Sequence, residues 1–284
     1  MVAAAARLAG DRGVKPAALE YIRVDSADEA VALLAEYGED ARVLAGGQSL
    51  MAVLNMRLAE PRALIDIHRA PDLAVIANGG AVQVGAAVTQ AALARHAELA
   101  RAVPLLAQAL PHLGHFQTRN RGTVCGSIAH ADPSAELPLC LATLGGEVVL
   151  RSARRRRRLS AQDFFTGMLQ TARGADELLE AAHFPLAAAG ERHGFVEVSM
   201  RHGDFAIVAL AAVVSASAIR LGVGGVADRP AVARWSRLDG SALDDALNQF
   251  AWDLEARDDH HASAPYRRHL VRTLGRRLIG ELAS

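Results

Sequence analysis

The stretch Val43-Leu44-Ala45-Gly46-Gly47-Gln48-Ser49-Leu50 joins an apolar segment to two adjacent glycines, a polar pair and a further apolar turn. The apolar segment, residues 42–45, is typical of the end of a buried strand. Adjacent glycines can adopt positive φ and carry no Cβ, so their backbone amides can converge on an anion. Gln48 and Ser49 can add side-chain hydrogen bonds. The stretch therefore predicts either a phosphate or pyrophosphate site or an ordinary tight turn.

A strand and a helix precede this loop. Residues 21–24 predict a strand, and residues 27–37 predict an amphipathic helix that Ser26 or Asp28 caps and Gly38 ends. The order strand, helix, strand, glycine loop places the loop at a sheet edge, where ligands bind in α/β folds. The chain lacks the Gly-x-Gly-x-x-Gly fingerprint, which disfavours a Rossmann fold.

The next segments alternate between short strands and helices. Asn78-Gly79-Gly80 predicts a hairpin between strands at residues 73–77 and 81–85. Thr89 is the expected cap of a helix over residues 90–96. Further predicted elements are a short helix at residues 55–59, a strand at 63–67, and a helix at 100–110 interrupted near Pro104.

Residues 118–136 form a second stretch that is rich in small and polar residues. It predicts a loop with many accessible backbone donors. The helix that follows, at residues 135–144, turns its positive end toward this loop, which suits a phosphate or a ribose. The alternative is an ordinary loop before a capped helix. Two such stretches in one chain favour the ligand-binding interpretation.

Five consecutive arginines, Arg154 to Arg158, lie between a predicted strand at residues 147–151 and a capped turn at 160–165. A run of like charges predicts a solvated loop, and the functional alternative is a patch that docks a partner. After a strand at residues 177–184, the pattern changes to longer apolar strands. These are predicted at residues 194–199, 206–217 and 219–223, and helices at 242–256 and 266–282 follow.

Composition excludes several classes of function. Thirty-one basic residues balance thirty-one acidic ones, so no global charge points to nucleic acid or an anionic membrane. Cys125 and Cys140 have neither metal-site nor disulfide spacing, which indicates a reduced, cytoplasmic setting without a metal site. No segment is long and apolar enough to predict a membrane span. Residues 1–13 lack the features of a secretory signal and predict a partly helical tail.

Five motifs occur in a fixed order along the chain. The first is Ala45-Gly46-Gly47-Gln48-Ser49-Leu50, followed by Met56-Arg57-Leu58-Ala59-Glu60-Pro61. The second runs from Arg119-Asn120-Arg121-Gly122-Thr123 through Ala129-His130-Ala131-Asp132-Pro133 to Glu136-Leu137-Pro138. The others are Asp163-Phe164-Phe165-Thr166-Gly167, Arg201-His202-Gly203-Asp204-Phe205-Ala206 and Tyr266-Arg267-Arg268-His269-Leu270. Together, and from about residue 18 onward, they resemble the FAD-binding medium subunits of the molybdenum hydroxylases, the family of aerobic carbon-monoxide dehydrogenase and bacterial xanthine dehydrogenase.

The resemblance implies an α+β fold: a two-subdomain FAD-binding domain of the vanillyl-alcohol-oxidase (PCMH) type, then a smaller α/β domain with an antiparallel sheet. The expected divisions are a tail at residues 1–17, an FAD-binding domain at 18–185 with subdomains at about 18–67 and 68–185, and a C-terminal domain at 186–284. Residues 45–50 would hold the pyrophosphate. The expected cofactor contacts in the second stretch are Thr123, Val124, Cys125, Gly126, Ser127, His130, Asp132 and Glu136.

Some of these contacts carry a more specific expectation. Asp132 and Glu136 are candidates for the ribose or adenine side, since a carboxylate accepts from hydroxyls. His130 is expected either to lie near the isoalloxazine or only to form hydrogen bonds within the loop. Where the family commonly has Thr-Ile-Gly-Gly-Asn, this chain has Thr123-Val124-Cys125-Gly126-Ser127. The side chain of Cys125 could crowd the close approach that glycine permits, or it could be a small buried residue.

The resemblance implies an FAD-dependent electron-transfer subunit. It would receive electrons from a [2Fe–2S] small subunit and pass them to NAD⁺, a quinone or oxygen, while a molybdopterin large subunit carries out the hydroxylation. Two cysteines are too few for an iron–sulfur cluster within this chain. The alternatives are a stand-alone FAD-dependent oxidoreductase, with His130 or His202 as its proton acceptor, and a scaffold subunit that has lost flavin.

Overall fold

The first layer of the protein is a four-stranded sheet. The computed structural model describes residues 6–7 and 15–284. The strands are β1 (Ala6–Arg7), β2 (Glu20–Arg23), β3 (Ala41–Leu44) and β4 (Ala63–Asp66), and they lie in the order β1-β2-β4-β3. Strands β2, β4 and β3 are parallel, whereas β1 is antiparallel to β2. Two helices, α1 (Ala27–Tyr37) and α2 (Leu50–Asn55), connect the parallel strands.

Helix α1 has the bounds that the sequence predicts. Its start is fixed by the Ser26 hydroxyl, which accepts a hydrogen bond from the Glu29 amide at 3.2 Å, and its end by Gly38 at φ +54°. The short helix predicted at residues 55–59 is wrong, because α2 ends at Asn55 and the backbone turns left-handed at Arg57. The predicted partly helical tail at residues 1–13 falls almost entirely outside the described residues.

The second layer is an antiparallel sheet of five strands in the order β5-β6-β11-β7-β8, with a separate two-stranded hairpin. The sheet strands are β5 (Ile76–Asn78), β6 (Ala81–Gly85), β7 (Glu147–Arg151), β8 (Arg156–Ser160) and β11 (Leu178–Pro185), and the hairpin is β9 (Phe165–Gly167) with β10 (Gln170–Thr171). The predicted Asn-Gly-Gly hairpin is confirmed as the connection between β5 and β6.

Seven short helices accompany this sheet. They are α3 (Gln90–Ala94), α4 (Leu99–Ala102), α5 (Pro104–Ala109), α6 (Phe116–Arg121), α7 (Val124–His130), α8 (Glu136–Leu144) and α9 (Ala161–Phe164). The predicted interruption near Pro104 is confirmed, because this proline opens α5. The second small-residue stretch is largely helical rather than a loop. The Thr123 hydroxyl accepts from the Gly126 amide at 3.0 Å and so starts α7.

The arginine run is only partly the solvated loop that the sequence predicts: Arg154 and Arg155 lie in an exposed connection, whereas Arg156 to Arg158 belong to the edge strand β8. Backbone pairing with β7 holds Arg156 to Arg158 in the sheet, and nearby acidic residues pair with their side chains. Arg157 donates twice to Glu177 at 2.7 Å, and Arg156 donates to Glu180 at 2.8 Å. The charges of these arginines are therefore largely compensated within the chain.

The third layer is a four-stranded antiparallel meander, β12 (Arg192–Ser199), β13 (Ala206–Val214), β14 (Ala218–Gly224) and β15 (Ala231–Ser236). Helices α10 (Gly240–Asp253) and α11 (Ala264–Ala283) follow it. Every residue of β13 is buried. Ala209 and Ala211 belong to the core of the first two layers, whereas Leu210 and Ala212 belong to the core under α10 and α11. This strand thus joins the two halves of the molecule. Among the described helices, none is long and apolar enough to cross a membrane.

Candidate functional site

The two small-residue stretches meet through their backbones at Gly46. A Cβ on Gly46 would lie 2.3 Å from the Arg121 carbonyl oxygen and 2.7 Å from the Gly122 Cα. A Cβ does not approach non-bonded backbone atoms this closely, so only glycine fits at this position. A Cβ on Gly126 would lie 3.9 Å from that of Ala45. The structure therefore brings the first stretch against the junction between α6 and α7.

Beside this contact, the first stretch makes a tight turn into α2. Gly47 has φ +72°, a value that glycine adopts without strain, and its carbonyl accepts from the Met51 amide. The exposed Gln48 side chain donates to the Gly46 carbonyl at 3.1 Å. Ser49 and Leu50 are half-buried at the start of α2, where the first amides of a helix lack partners within the helix. This end of the turn can donate to an anion.

The start of α7 is fixed by hydrogen bonds from the preceding segment. The Val124 amide donates to the Val88 carbonyl at 3.0 Å, and the Gln90 amide donates to the Gly122 carbonyl at 2.8 Å. Thr123 is buried, whereas Gly126 and Ser127 are half-exposed on α7. The buried Gln90 Oε1 has no hydrogen-bond partner among the described groups, and it would lie 3.2 Å from a Cβ on Gly122. An unpaired acceptor beside this junction fits a ligand that brings a donor.

The Cys125 side chain does not crowd the close backbone approach at this junction. Its thiol is buried and donates to the Val84 carbonyl of β6 at 3.3 Å. Burial raises the pKa of the Cys125 thiol to about 12. The side chain therefore packs toward the second sheet as a small apolar residue. Of the two alternatives for Cys125, the structure favours the buried one.

The remaining predicted contacts lie at or beyond the other end of α7. A seven-residue helix is about 10 Å long, so His130 is separated by that length from Val124. Ala131 follows with φ +52°, and Asp132 Oδ1 accepts from the Ser134 amide at 2.8 Å. The Pro133 carbonyl accepts from the Gly225 amide at 2.7 Å. The loop after α7 is thus anchored to the end of β14.

Glu136 is the most buried of the predicted acids, with an exposure of 8% at the first position of α8. Burial, together with Glu197 and Asp132, raises the pKa of the Glu136 carboxyl to about 8. The side chain of Glu197 on β12 is itself buried, and burial raises its pKa to about 7. His112 Nδ1 lies 3.4 Å from Glu197 Oε1. This acid cluster lies between the second and third sheets.

The sequence interpretation missed Gln90, His112 and Glu197. Glu197 carried a signal that could have been used, because it is an acid at an inward-facing position of an otherwise apolar strand, Phe195-Val196-Glu197-Val198. Gln90 and His112 gave no local signal, because their positions depend on tertiary contacts. Within the described residues, no group of three His, Cys, Asp or Glu side chains is arranged to hold a metal ion.

Two family descriptions match the chain in succession. The FAD binding domain in molybdopterin dehydrogenase matches residues 17–187, and the CO dehydrogenase flavoprotein C-terminal domain matches residues 193–282. The first match alone covers more than half of the chain. The glycine junction and the unpaired Gln90 oxygen fit this cofactor, since a dinucleotide needs close backbone approach and hydrogen-bonding groups.

Individual relatives agree over almost the full length. The chain is 37% identical to the nicotine 6-hydroxylase medium subunit of Paenarthrobacter nicotinovorans, in an alignment covering 94% of this chain and 98% of that protein. It is 32% identical to the carbon monoxide dehydrogenase medium chain of Afipia carboxidovorans, over 93% and 96%. The crystal structure of quinoline 2-oxidoreductase from Pseudomonas putida 86 matches with a TM-score of 0.89 and 35% identity, over 95% and 98%. The chain therefore belongs to the family of FAD-binding medium subunits of the molybdenum hydroxylases, and it is an FAD-dependent oxidoreductase subunit.

Proposed function

We propose that this chain carries electrons between two partners: it receives them from a [2Fe–2S] subunit and passes them through FAD to NAD⁺, a quinone or oxygen. Oxidation of the organic substrate would take place on a separate molybdopterin subunit. The observation that supports this proposal is the close backbone contact of Gly46 with Arg121 and Gly122, which brings together the two stretches predicted to bind the cofactor. Bound FAD supplies the redox chemistry, and the protein supplies binding, orientation and electrostatics.

The residues of this site have separate proposed roles. Residues 45–50 would hold the pyrophosphate, because the Gly47 turn and the start of α2 present backbone amides. The buried Thr123 fixes the start of α7, and the half-exposed Gly126 and Ser127 would contact the cofactor beyond it. Val124, also an expected contact, is fully buried and packs in the core instead. Cys125 shapes the buried side of the same helix. Asp132 would accept from a ribose hydroxyl, and His130 and Glu136 would lie toward the rest of the cofactor.

The overall organisation is proposed on the same basis. Residues 18–185 would form the FAD-binding domain of the vanillyl-alcohol-oxidase (PCMH) type, with subdomains at about 18–67 and 68–185. Residues 186–284 would form the C-terminal domain, after a tail at residues 1–17. The strands of the first two sheets all lie before residue 186 and those of the third sheet after it, which supports this division. A cytoplasmic location stays a prediction, and the two free, buried cysteines are consistent with it.

The decisive experiment uses the chain purified alone. We expect visible flavin absorbance, release of FAD on denaturation, and no bleaching of the flavin by candidate organic substrates. A reduced plant-type [2Fe–2S] ferredoxin, used as a probe of the electron donor, should bleach the flavin under anaerobic conditions. Bleaching by an organic substrate alone would make the chain a stand-alone flavoenzyme. A colourless chain that FAD does not reconstitute would contradict both the electron-transfer function and the stand-alone flavoenzyme, and would favour a scaffold subunit.

A further inference from the structure

Large apolar side chains are exposed together where the second and third layers meet. Phe116 on α6 is 64% exposed, and Met200 and Phe205, at the two ends of the turn between β12 and β13, are 65% and 71% exposed. A Cβ on Gly203, in this turn, would lie 3.0 Å from the Gly114 carbonyl oxygen. The turn therefore packs beside the start of α6. The surface formed by Phe116, Met200 and Phe205 is called the exposed apolar face below.

The hairpin of β9 and β10 extends this face. Met168 in the hairpin is exposed, and it lines one small cavity together with Phe205. The amide of the neighbouring Leu169 donates to the Ala131 carbonyl at 3.1 Å, which fixes the hairpin beside the end of α7. Single exposed apolar side chains are ordinary, whereas apolar side chains gathered from three separate segments are typical of a protein interface.

Hydrogen bonds hold the exposed apolar face in shape. The Arg119 guanidinium on α6 donates to the carbonyls of Leu113 and Gly114 at 2.8 Å each. Within the turn, the Asp204 amide donates to the Arg201 carbonyl at 3.0 Å. A surface that is already ordered loses little conformational entropy when a partner binds to it.

The rim of the face is basic. No aspartate or glutamate occurs between Glu98 and Asp132, and this segment contains the whole of α6. Arg121 at the end of α6 and Arg201 in the turn are exposed, and Asp204 is the one acid among residues 200–205. Because the chain as a whole has no net charge, this local excess of positive charge favours a partner with an acidic surface.

The face borders the candidate cofactor site. Helix α6 runs from Phe116, in the face, to Arg121, whose carbonyl oxygen lies against Gly46. A six-residue helix is about 9 Å long, so the face is separated from the glycine junction by about that length. A protein seated on the face would therefore lie close to the cofactor that the junction is proposed to bind.

We propose that the exposed apolar face, with Arg121 and Arg201 at its rim, docks an acidic [2Fe–2S] protein that acts as electron donor. This inference rests on the proposed function and names the surface at which the donor binds. The apolar side chains supply the contact that excludes water, and the arginines steer and orient the acidic partner. A second copy of this chain fits less well, because a symmetric contact would bring two basic rims against each other.

Hydroxyl-radical footprinting of the FAD-loaded chain identifies what covers the face. The probe is oxidised plant-type [2Fe–2S] ferredoxin, an acidic protein. We expect its addition to suppress modification of Phe116, Met200 and Phe205, whereas Trp252, exposed on α10, should stay fully modified. Protection of the face by FAD alone would assign it to the cofactor, and protection that accompanies dimerisation of the chain would assign it to a second copy. Either result would overturn the proposal.

Rapid mixing with reduced ferredoxin measures docking during electron transfer. We expect the second-order rate constant of flavin bleaching to fall at least about tenfold in Arg201→Glu and in Phe205→Ser, and to fall in the wild type as salt is added. Flavin content should be unchanged, and so should bleaching by reduced methyl viologen, a small reductant that needs no docking surface. Arg154→Glu and Val75→Ser are the matched controls, at exposed positions in the second layer, and should keep the wild-type rate.

Two outcomes of this experiment separate the docking face from the function itself. Wild-type rates in both Arg201→Glu and Phe205→Ser would refute the docking face and leave the proposed electron transfer intact. A wild-type flavin that methyl viologen bleaches and reduced ferredoxin does not would refute the proposed function.

Discussion

Gly46 lies so close to the Arg121 carbonyl that a single added methyl group would come within 2.3 Å of its oxygen. One pair of residues therefore decides whether the two small-residue stretches can touch. Gly46 precedes a helix of the first layer, and Arg121 ends a helix of the second. The junction is thus a contact between layers, and the glycine is required by the approach of a distant backbone.

Replacing this glycine tests the junction directly. We expect Gly46→Ala to lower stability by about 1–3 kcal/mol, as overpacking does. We also expect FAD affinity to fall at least about tenfold, because separating the two stretches moves the backbone donors apart. Urea unfolding and FAD retention on gel filtration give the two measurements. Gly79→Ala is the matched control, since a Cβ there meets nothing within 4 Å. Full FAD retention in Gly46→Ala would show that the contact is not needed for binding.

The cysteines provide an independent test of the site geometry. Cys125 and Cys140 are buried, and burial raises the pKa of both thiols, that of Cys125 to about 12. Because the thiolate is the reactive form, we expect neither cysteine to react with a thiol reagent in the native protein at pH 8. Both should react at once in denaturant. Rapid labelling of Cys125 in the folded chain would mean that its side chain is accessible to solvent and does not face β6.

Local signals explain which elements the sequence predicted well. Helix α1 was predicted to the residue, because its cap Ser26 and its terminator Gly38 act within the segment itself. The β5–β6 hairpin follows from Asn78-Gly79-Gly80 for the same reason. The edge strand β8 was missed, because its arginines are held by backbone pairing with β7 and by Glu177 and Glu180, which are distant in sequence.

In the candidate site, too, some features could be predicted from the local sequence and others depend on tertiary contacts. The glycine stretches could be found from composition, and their meeting at Gly46 could not, since the contact joins residues 75 positions apart. The small residues of α7 suggested a loop, and only the Thr123 cap and the packing of Val124, Cys125 and Ile128 make the segment helical. The surroundings of Glu197 depend on His112, which belongs to another element.

Charge compensation in the arginine strand can be measured through Glu177. This carboxyl is 2% exposed, and its hydrogen bonds from Arg157 lower its pKa. We expect Arg157→Ala to destabilise the fold by about 2–4 kcal/mol, because it leaves a buried carboxylate without its main partner. Arg155→Ala removes an equal charge from a side chain that is 65% exposed and 3.6 Å from the same carboxyl, and should cost under about 1 kcal/mol. Equal losses of unfolding free energy in the two variants would show that net charge, rather than the Arg157–Glu177 ion pair, determines the stability of this region.

The buried acid cluster predicts how stability depends on pH. A glutamate of ordinary pKa, near 4.5, has its pKa raised to about 7 at Glu197 by burial. The folded state therefore binds this proton more tightly than the unfolded state. The stability that the proton contributes is fully present below about pH 4.5 and is lost as the pH rises through about 7. Glu136 adds the same trend up to a pH of about 8.

Glu197→Gln removes the ionisation and keeps the shape of the neutral acid. We expect its unfolding free energy to match that of the wild type at about pH 4 and to exceed it by roughly 3 kcal/mol at about pH 8.5, from a pKa difference of this size. Urea unfolding across this pH range gives the measurement. Glu60→Gln, at an exposed position, should show the same difference from the wild type throughout. If the difference in unfolding free energy between Glu197→Gln and the wild type did not change with pH, Glu197 would be ionised in the folded chain and stabilised by His112.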